Sequence, residues 1–435
     1  MKQFLLTLTL SALTLFTASA QDILSLEEAI NIGMQNSYGI KIARNNEAIS
    51  GNLNTYGNAG FLPRATIDGT AGYTSTNIAQ RFFSGDEQNG QGIGNTNVQA
   101  GLALVWTAFD GYRMFAAKDR LELQEQRSQA FTASAMQDLA TQIQTAYFTA
   151  IRIRQQIDIQ EQAIELNVAL RDLAANKVKI GTGTSLEMLQ TTTRVNADSS
   201  LLLNLFDQLR QTKISLNLLM GQDADIEFAV PSDMPETVLP ELDALTDIAL
   251  AQNYNLRLLQ YDERIALAQI KEERAALYPT LDLTAGYNYN FSRADAGFLL
   301  SNRTFGPAVG INLNYNLFPG RDVRNDIDNA RLLKENIILN RADAERTLRA
   351  DLALLYQEHT ALQNQLDLEQ RTLQTGSTNT QLAQQLYRSG RATNFDVREA
   401  ILAETQIKDR ISDVRYRQKL IEVEVLRVAG IPLFE

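Results

Sequence analysis

The sequence contains no cysteine, a single histidine and a single tryptophan in 435 residues. Without cysteine the chain forms no disulfide, no thiolate metal site and no lipid-modified cysteine. The one histidine, His359, leaves histidine metal sites and most nucleophile–base pairs incomplete. These absences argue against an enzyme, and we expect no catalytic residue, no bound metal and no cofactor.

Long apolar runs are also scarce. The exception is the first 20 residues, in which a positively charged start precedes an apolar run from Phe4 to Phe16 and the small residues Ala18-Ser19-Ala20. This pattern is typical of a secretory signal peptide, with cleavage expected before Gln21. A membrane anchor is the alternative, but the run is short and rich in threonine. Beyond it, no stretch of 18 apolar residues is available for a transmembrane helix.

Positive charge is in deficit. The chain has 40 lysine and arginine residues against 51 aspartate and glutamate residues, a formal net charge of −11. Removal of Lys2 with the signal peptide changes this charge from −11 to −12. Such acidity argues against nucleic acid or anionic lipid as the main partner.

Self-similarity is the strongest positive feature of the chain. Equivalent residues recur at a constant offset of 209 residues. Such an offset predicts one supersecondary unit used twice, as a first repeat at 21–221 and a second repeat at 241–430. Between them, the equatorial linker 222–240 holds three of the eight prolines, and 431–435 is a short tail. The matching pairs are Gly101 and Gly310, Phe109 and Phe318, Gly111 and Gly320, Gly181 and Gly390, Thr184 and Thr393, and Gly221 and Gly430.

Each repeat is predicted to contain a helix, two strands, a very long helix and a return helix. A helix of about 70 residues extends about 105 Å, far beyond the length of a helix in an ordinary globular domain. In the first repeat the expected bounds are 25–61, about 63–109 for the strand pair, 112–180 and 185–220. In the second repeat they are 241–277, about 279–318 for the strand pair, 320–389 and 394–429.

Both long helices carry a coiled-coil seam, because apolar residues recur at alternating spacings of four and three. Each seam leads to a tight turn, in which Gly181 or Gly390 suits a left-handed C-cap. A capping box is expected at Thr184-x-x-Glu187, and its shorter variant at Thr393-x-x-Asp396. The first seam is Leu139, Ile143, Ala146, Ala150, Ile153, Ile157, Gln160 and Ile164.

Four segments alternate between apolar and polar residues with period two. In the clearest, Leu281 to Phe291, leucine and aromatic residues share one face, and mostly asparagine, threonine and glycine share the other. Alternation alone fits a half-buried strand of a soluble sheet equally well. The signal peptide and the polar inner face favour strands that cross a membrane around a wet lumen. Four strands cannot close a barrel, and open edges are not tolerated in lipid, so we expect an oligomer.

The order of these elements, used twice, resembles the TolC-type outer-membrane efflux proteins, or outer membrane factors. Phe109-Asp110-Gly111 and Phe318-Pro319-Gly320 open the long helices, and the similarity covers essentially the whole mature chain. The resemblance implies a mainly α fold with a small β part. In a homotrimer, each chain would give four strands to a twelve-stranded transmembrane β-barrel and its helices to a trimeric α-barrel tunnel. It also implies an outer-membrane location, contact with outer-membrane lipid, and docking to a periplasmic adaptor (membrane fusion protein) and an inner-membrane transporter.

The resemblance further implies a gate at the periplasmic tip of the second repeat. The family pattern maps to Tyr387, Gly390 and Asp396, with the next carboxylate at Glu399. Three copies of Asp396 and Glu399 would form a ring of six carboxylates that favours multivalent cations. Without the resemblance, Asp396 is interpreted as a plain helix cap and Glu399 as a solvated residue.

One position departs from the family pattern. Ala392 occupies the place of the family's gate arginine, and Arg391 is beside it. This departure puts the family's Tyr–Arg–Asp network in question. An adaptor would dock at the tips of both repeats, and the docking residues expected there are Gly181, Thr184, Gly390 and Thr393.

A periplasmic coiled-coil adaptor or scaffold is the alternative function. Adaptors also contain long helical hairpins, but they do not need two duplicated strand pairs with this alternation. An enzyme is a weaker alternative, because carboxylates such as Asp396 and Glu399 are not accompanied by a pocket signature.

Overall fold

The structure is a computed structural model that describes residues 23–235, 237–296 and 299–433. The expected signal peptide at 1–20 and the last two residues of the expected tail 431–435 lie outside these ranges. The described part of the chain forms eight helices and four strands. In chain order they are α1 Leu26–Asn36, α2 Tyr38–Leu53, β1 Arg64–Arg81, β2 Glu87–Phe109, α3 Arg113–Lys179, α4 Ser185–Met220, α5 Leu242–Gln252, α6 Tyr254–Ala275, β3 Thr280–Ala294, β4 Ser301–Asn314, α7 Asp322–Arg388 and α8 Asn394–Ala429.

The chain divides into two compact units, and each contains parts of both repeats. The helical unit comprises the described residues of 1–40, 136–247 and 351–435. The sheet unit comprises 41–135 and the described residues of 248–350. Within the described part of the chain, no helix is long and apolar enough to span a membrane.

In the sheet unit the four strands form one antiparallel sheet in the order β1-β2-β3-β4. Directly paired residues point to the same face of a sheet. Leu283 pairs with Ile311, whereas Asn288 pairs with Gly306, so the apolar and polar residues separate onto opposite faces as the alternation predicts. Within this sheet β1 and β4 each have a strand on one side only.

The expected second strand pair, about 279–318, extends too far at its C-terminal end. Strand β4 stops at Asn314, which pairs with Thr280, and residues 315–318 are not in a strand. Pro279 explains the difference, because it has no N–H to donate and the ladder on β3 therefore begins only at Thr280.

The expected helices 25–61 and 241–277 are each broken into two, so these two predictions were wrong. Ser37 leaves the helical conformation with ψ 126°, and its N–H donates to Gly33 O. In the second repeat, the Asn253 side chain accepts a hydrogen bond from Leu256 N at 3.0 Å and so starts a new helix. At Ser37 the last helical hydrogen bond is still made and the extended ψ then ends the helix, whereas at Asn253 a polar side chain caps the following helix.

The long and return helices match their expected bounds closely, and the return helices match them to the residue. Six of the eight expected seam positions of α3 are buried, and Ile143 and Ile157 are fully so. The start of the described chain is held on this core, because Tyr147 donates to Leu24 O at 2.7 Å. Burial raises the pKa of Tyr147 to about 12. Its contribution to stability is therefore present below pH about 10 and is lost as the pH rises through about 12.

Gly221 closes α4 with a left-handed backbone, φ 68°. A Cβ at this position would lie 2.9 Å from the carbonyl carbon of Asn36. Gly390 is also left-handed, with φ 77°, but no other heavy atom lies within 4 Å of its hypothetical Cβ. Both glycines therefore need a left-handed backbone, but only Gly221 also lacks the space for a Cβ atom.

We expect Gly221→Ala to destabilise the protein clearly more than Gly390→Ala. The left-handed conformation alone costs about 1–2 kcal/mol for an alanine, and at Gly221 the backbone of Asn36 must move as well. Thermal unfolding followed by far-ultraviolet circular dichroism checks this order. Equal losses in Tm for the two variants would contradict the steric argument.

Candidate functional site

The turns at the tips of the two helical hairpins have the same backbone. In the first, Gly181 N donates to Val178 O, and the N–H groups of Thr182 and Gly183 donate to Lys177 O. In the second, Gly390 N donates to Tyr387 O at 3.1 Å, and the next two N–H groups donate to Leu386 O at 2.8 and 3.2 Å. Both glycines are left-handed, as predicted, with φ 75° and 77°. Any functional difference between the tips therefore comes from side chains.

Tyr387 is buried in the helical unit, with 2% of its surface exposed. The ring belongs to a small apolar cluster between α3, α7 and α8. Ala392, at the position where the family has a gate arginine, packs against this cluster. The other members are Leu170, Ala383, Val397, Ala400 and Ile401, with Leu166 and Leu173 partly buried beside them.

Lys177 of the first hairpin contacts Tyr387 of the second in two ways. Its Nζ lies 3.5 Å from the centroid of the ring, and it donates to the Tyr387 carbonyl oxygen at 2.9 Å. A cation above an aromatic face is attracted by the ring quadrupole. This pair links the last turns of α3 and α7, which lie 210 residues apart in sequence.

Two polar groups in this region have no partner among the described residues. They are the Tyr387 hydroxyl and the whole side-chain amide of Asn394, which is 2% exposed. Each buried and unpaired group costs about 1–3 kcal/mol. Burial, and then the negative charge of Glu187, raises the pKa of the Tyr387 hydroxyl. The hydroxyl is therefore neutral at neutral pH, and its ionisation destabilises the fold only as the pH rises above the ordinary tyrosine pKa.

Asp396 is exposed and completes a capping box with Thr393. Its Oδ2 accepts hydrogen bonds from Thr393 N and Thr393 Oγ1, both at 2.7 Å. The side-chain bond, and then the backbone bond, lower the pKa of Asp396. The cap is therefore formed at neutral pH and is lost as the pH falls through this lowered pKa.

The capping prediction is confirmed at the second tip, where the shorter variant with aspartate forms, and wrong at the first, where the box is only half formed. At the first tip, Thr184 Oγ1 accepts from Glu187 N at 3.2 Å, but no return bond from the Glu187 carboxylate is present among the described residues. The complete box is at Thr393 and Asp396. The Asp396 carboxylate reaches the Thr393 N–H, and this reciprocal contact defines the box.

The structure brings together only part of the predicted gate set. Asp396 and Glu399 are both exposed, one turn apart on α8, whereas Tyr387 is buried behind them. Arg391 is exposed and makes no ion pair within the described residues. The tip therefore contains the buried pair of Tyr387 and Lys177, not a Tyr–Arg–Asp network.

Sequence reasoning missed Lys177 and Asn394. The signal for Lys177 was its place in the last turn of α3, where cations favour the negative helix end. Its counterpart in the second repeat is Leu386, so a comparison of the copies would also have marked it. The signal for Asn394 was weaker, because a polar residue directly after a helix cap is ordinary. Within the described residues, no group of three or more His, Asp or Glu side chains is placed to hold a metal ion.

The sequence profile described as "Outer membrane efflux protein" matches residues 55–222 and 245–430. The chain belongs to the outer membrane efflux protein family. The two matched segments fall one in each repeat, and the resemblance drawn from the sequence is confirmed.

Individual relatives are distant in sequence and close in fold. The alkaline protease secretion protein AprF of Pseudomonas aeruginosa is 21% identical over 401 residues, which cover 90% of this chain and 82% of that protein. The outer membrane protein VceC of Vibrio cholerae has a TM-score of 0.72 at 16% identity, over 93% of this chain and 96% of that one. The outer membrane channel CmeC of Campylobacter jejuni has a TM-score of 0.73 at 16% identity, over 93% and 85%.

Several expectations are thereby confirmed. The protein is an outer-membrane export channel and not an enzyme or a periplasmic adaptor. Homologues such as AprF work as trimeric channels with an adaptor and an inner-membrane pump. The described chain is mainly helical with one four-stranded antiparallel sheet, as expected.

We expect Lys177→Met to loosen the tip of the second hairpin. It removes a cation–π contact and a hydrogen bond, worth together about 1–2 kcal/mol. Amide hydrogen exchange in peptides covering 385–395 should therefore become about 5 to 30 times faster.

Lys179→Met is the matched control, because Lys179 is exposed in the same helical turn. Its exchange rates should stay at the wild-type values. Unchanged exchange in Lys177→Met would show that the contact with Tyr387 does not hold the tip.

Proposed function

We propose that the second-repeat tip of this channel is its periplasmic gate. The observation that carries the proposal is the chemical asymmetry of two tips that share one backbone. The second tip has Tyr387, Ala392 and Asn394 where the first has Val178, Gly183 and Ser185. It also has two exposed carboxylates, Asp396 and Glu399, where the first has Glu187 and Gln190.

In the trimer, Asp396 and Glu399 would supply six carboxylates around the mouth. The lowered pKa of Asp396 supports full ionisation of that residue at neutral pH. A ring of fixed negative charges attracts cations and binds multivalent ones most strongly. Exposed Arg391 is the nearby positive charge that the closed mouth would place beside this ring.

Opening of the gate would rearrange the tip. The unpaired Asn394 amide and Tyr387 hydroxyl make the described conformation less stable than a fully satisfied one. A conformation in which these two groups form hydrogen bonds with water or with a partner protein no longer has this destabilisation. The equilibrium between closed and open tips would therefore be sensitive to a docked adaptor.

Docking of the adaptor is proposed at both tips, around Gly181 and Thr184 and around Gly390 and Thr393. Their shared backbone gives the trimer six similar turns on which a partner with repeated sites would fit. The export cargo arrives from the inner-membrane transporter. AprF is named as a protein that secretes an alkaline protease. We therefore propose a secreted protein as the cargo class of this chain.

The gate is tested by removing its charges without changing its shape. In planar-bilayer recordings we expect Asp396→Asn with Glu399→Gln to abolish the block caused by millimolar trivalent cations, because the fixed charges that bind them are gone. Asparagine at 396 still offers an acceptor to the Thr393 N–H, so the helix cap is kept.

Glu187→Gln is the matched control in the first repeat. Trivalent cations should block the conductance of this variant about as strongly as that of the wild type. Block that persists unchanged in the double variant would place the constriction elsewhere. An equal loss in Glu187→Gln would contradict the assignment of the gate to the second repeat.

Adaptor docking is tested with introduced cysteines, because the native chain has none. We expect Thr182→Cys and Arg391→Cys, each labelled with a thiol-reactive photo-crosslinker, to capture a periplasmic adaptor in cells, since both are exposed at equivalent positions of the tips. Mass spectrometry of the adducts would identify the adaptor and hence the export system. As a control, cysteine at exposed Leu218, near the far end of α4, should not capture the same protein.

A further inference from the structure

The membrane face of the sheet is defined by its side chains. In a transmembrane barrel the apolar residues of each strand face lipid and the polar ones face the lumen. On β3 the lipid-facing residues run from Leu281 to Phe291 and then reach Arg293. On β4 they run from Leu313 back to Phe305 and then reach Arg303.

Both arginines lie at the outer edge of the apolar band. Leu281 and Phe291 are ten residues apart on one strand. At about 3.3 Å per residue and a tilt of about 40°, this distance corresponds to about 25 Å across the membrane. That is the height of the apolar band of such barrels. Arg303 pairs with Phe291 at its edge, and Arg293 is one lipid-facing position further out.

The end of the sheet that bears the arginines faces the cell exterior. The opposite ends of the strands continue into the helices, which lie in the periplasm. At that inner end the lipid face is uncharged and contains aromatic and aliphatic residues. They are Ala65, Leu104, Trp106, Phe109, Leu281, Leu283, Ile311 and Leu313.

Arg293 and Arg303 are neighbours across the β3–β4 ladder. Arg293 pairs with Ser301, so Arg303 is its diagonal neighbour on the same face. Such diagonal pairs are about 7–8 Å apart at Cα and remain within reach of long side chains. The guanidinium of Arg303 lies 5.9 Å from the Phe291 ring centroid, which helps to hold it against the sheet.

Neither arginine has an ion-pair partner among the described residues. The nearest carboxylate in sequence is Asp295, beyond the end of β3, whose N–H donates to Gly94 O. The lipid face of β1, the other edge strand, has no carboxylate to offer from a neighbouring chain. Its residues there are Ala65, Ile67, Gly69, Ala71, Tyr73 and Ser75.

We propose that Arg293 and Arg303 form a binding site for the phosphate groups of the glycolipid in the outer leaflet. A guanidinium matches a phosphate with two parallel hydrogen bonds and keeps its charge at any physiological pH. Two of them at headgroup depth, beside aromatic residues that favour the interface, complement a diphosphorylated headgroup. The site is local, and it is compatible with a chain that is acidic as a whole.

The test measures lipid binding to the purified trimer in uncharged detergent by native mass spectrometry. The probes are diphosphoryl lipid A, the same lipid without phosphates, and inorganic phosphate. We expect the wild type to retain diphosphoryl lipid A at least tenfold more than Arg293→Gln with Arg303→Gln. The phosphate-free lipid should be retained weakly by both.

Arg64→Gln is the matched control, because it removes the same charge from the polar face of the sheet, where Arg64 pairs with Val105. It should bind lipid A as the wild type does. If the double variant does not form trimers, the single variants are compared, and each should lose binding severalfold.

Three results would overturn the proposal. They are equal retention of lipid A by the wild type and the double variant, equal binding of the lipid with and without phosphates, and displacement of lipid A by equimolar inorganic phosphate. The last result would mean a free-phosphate site instead of a lipid site.

Discussion

The open edges of the four-stranded sheet are the constraint on which the assembly depends. Among the described residues, β1 and β4 each pair with a strand on one side only, so their other side presents backbone N–H and C=O groups without partners there. In lipid each such group costs several kcal/mol. The cost disappears only when β4 of one chain pairs with β1 of the next and the ring closes. A closed barrel of twelve strands from three chains, the number in which its homologues assemble, would meet this requirement.

A trimer of the kind that its homologues form would also cover apolar side chains that are exposed in the single chain. In the helical unit, Leu354, Leu368 and Leu382 of α7 are 65%, 59% and 52% exposed. They are spaced by two heptads, which is the pattern of a coiled-coil seam. A seam of this kind has no function on an isolated helix. It is consistent with the helices of neighbouring chains closing the tunnel in the same way as the strands close the barrel.

The sequence predicted the elements whose ends depend on local chemistry. Helices α4 and α8 begin after a threonine cap and end at a left-handed glycine, and both bounds were right to the residue. The breaks at Ser37 and Asn253 were missed, because a single polar residue in a helical pattern is a weak signal. The contact of Lys177 with Tyr387 could not be found in this way, since the two residues are 210 positions apart and no local pattern encodes their meeting.

The duplication explains why the tips can specialise without losing the fold. Backbone hydrogen bonds and left-handed glycines fix both turns in one conformation, so that side chains there are free to vary as long as the caps remain. The second copy used this freedom to bury Tyr387 and Asn394 with unpaired polar groups, a change that costs stability. A structure maintained only for stability would fill these positions with apolar residues. Their presence at one tip and not at the other is the physical observation that supports the proposed rearrangement of this tip.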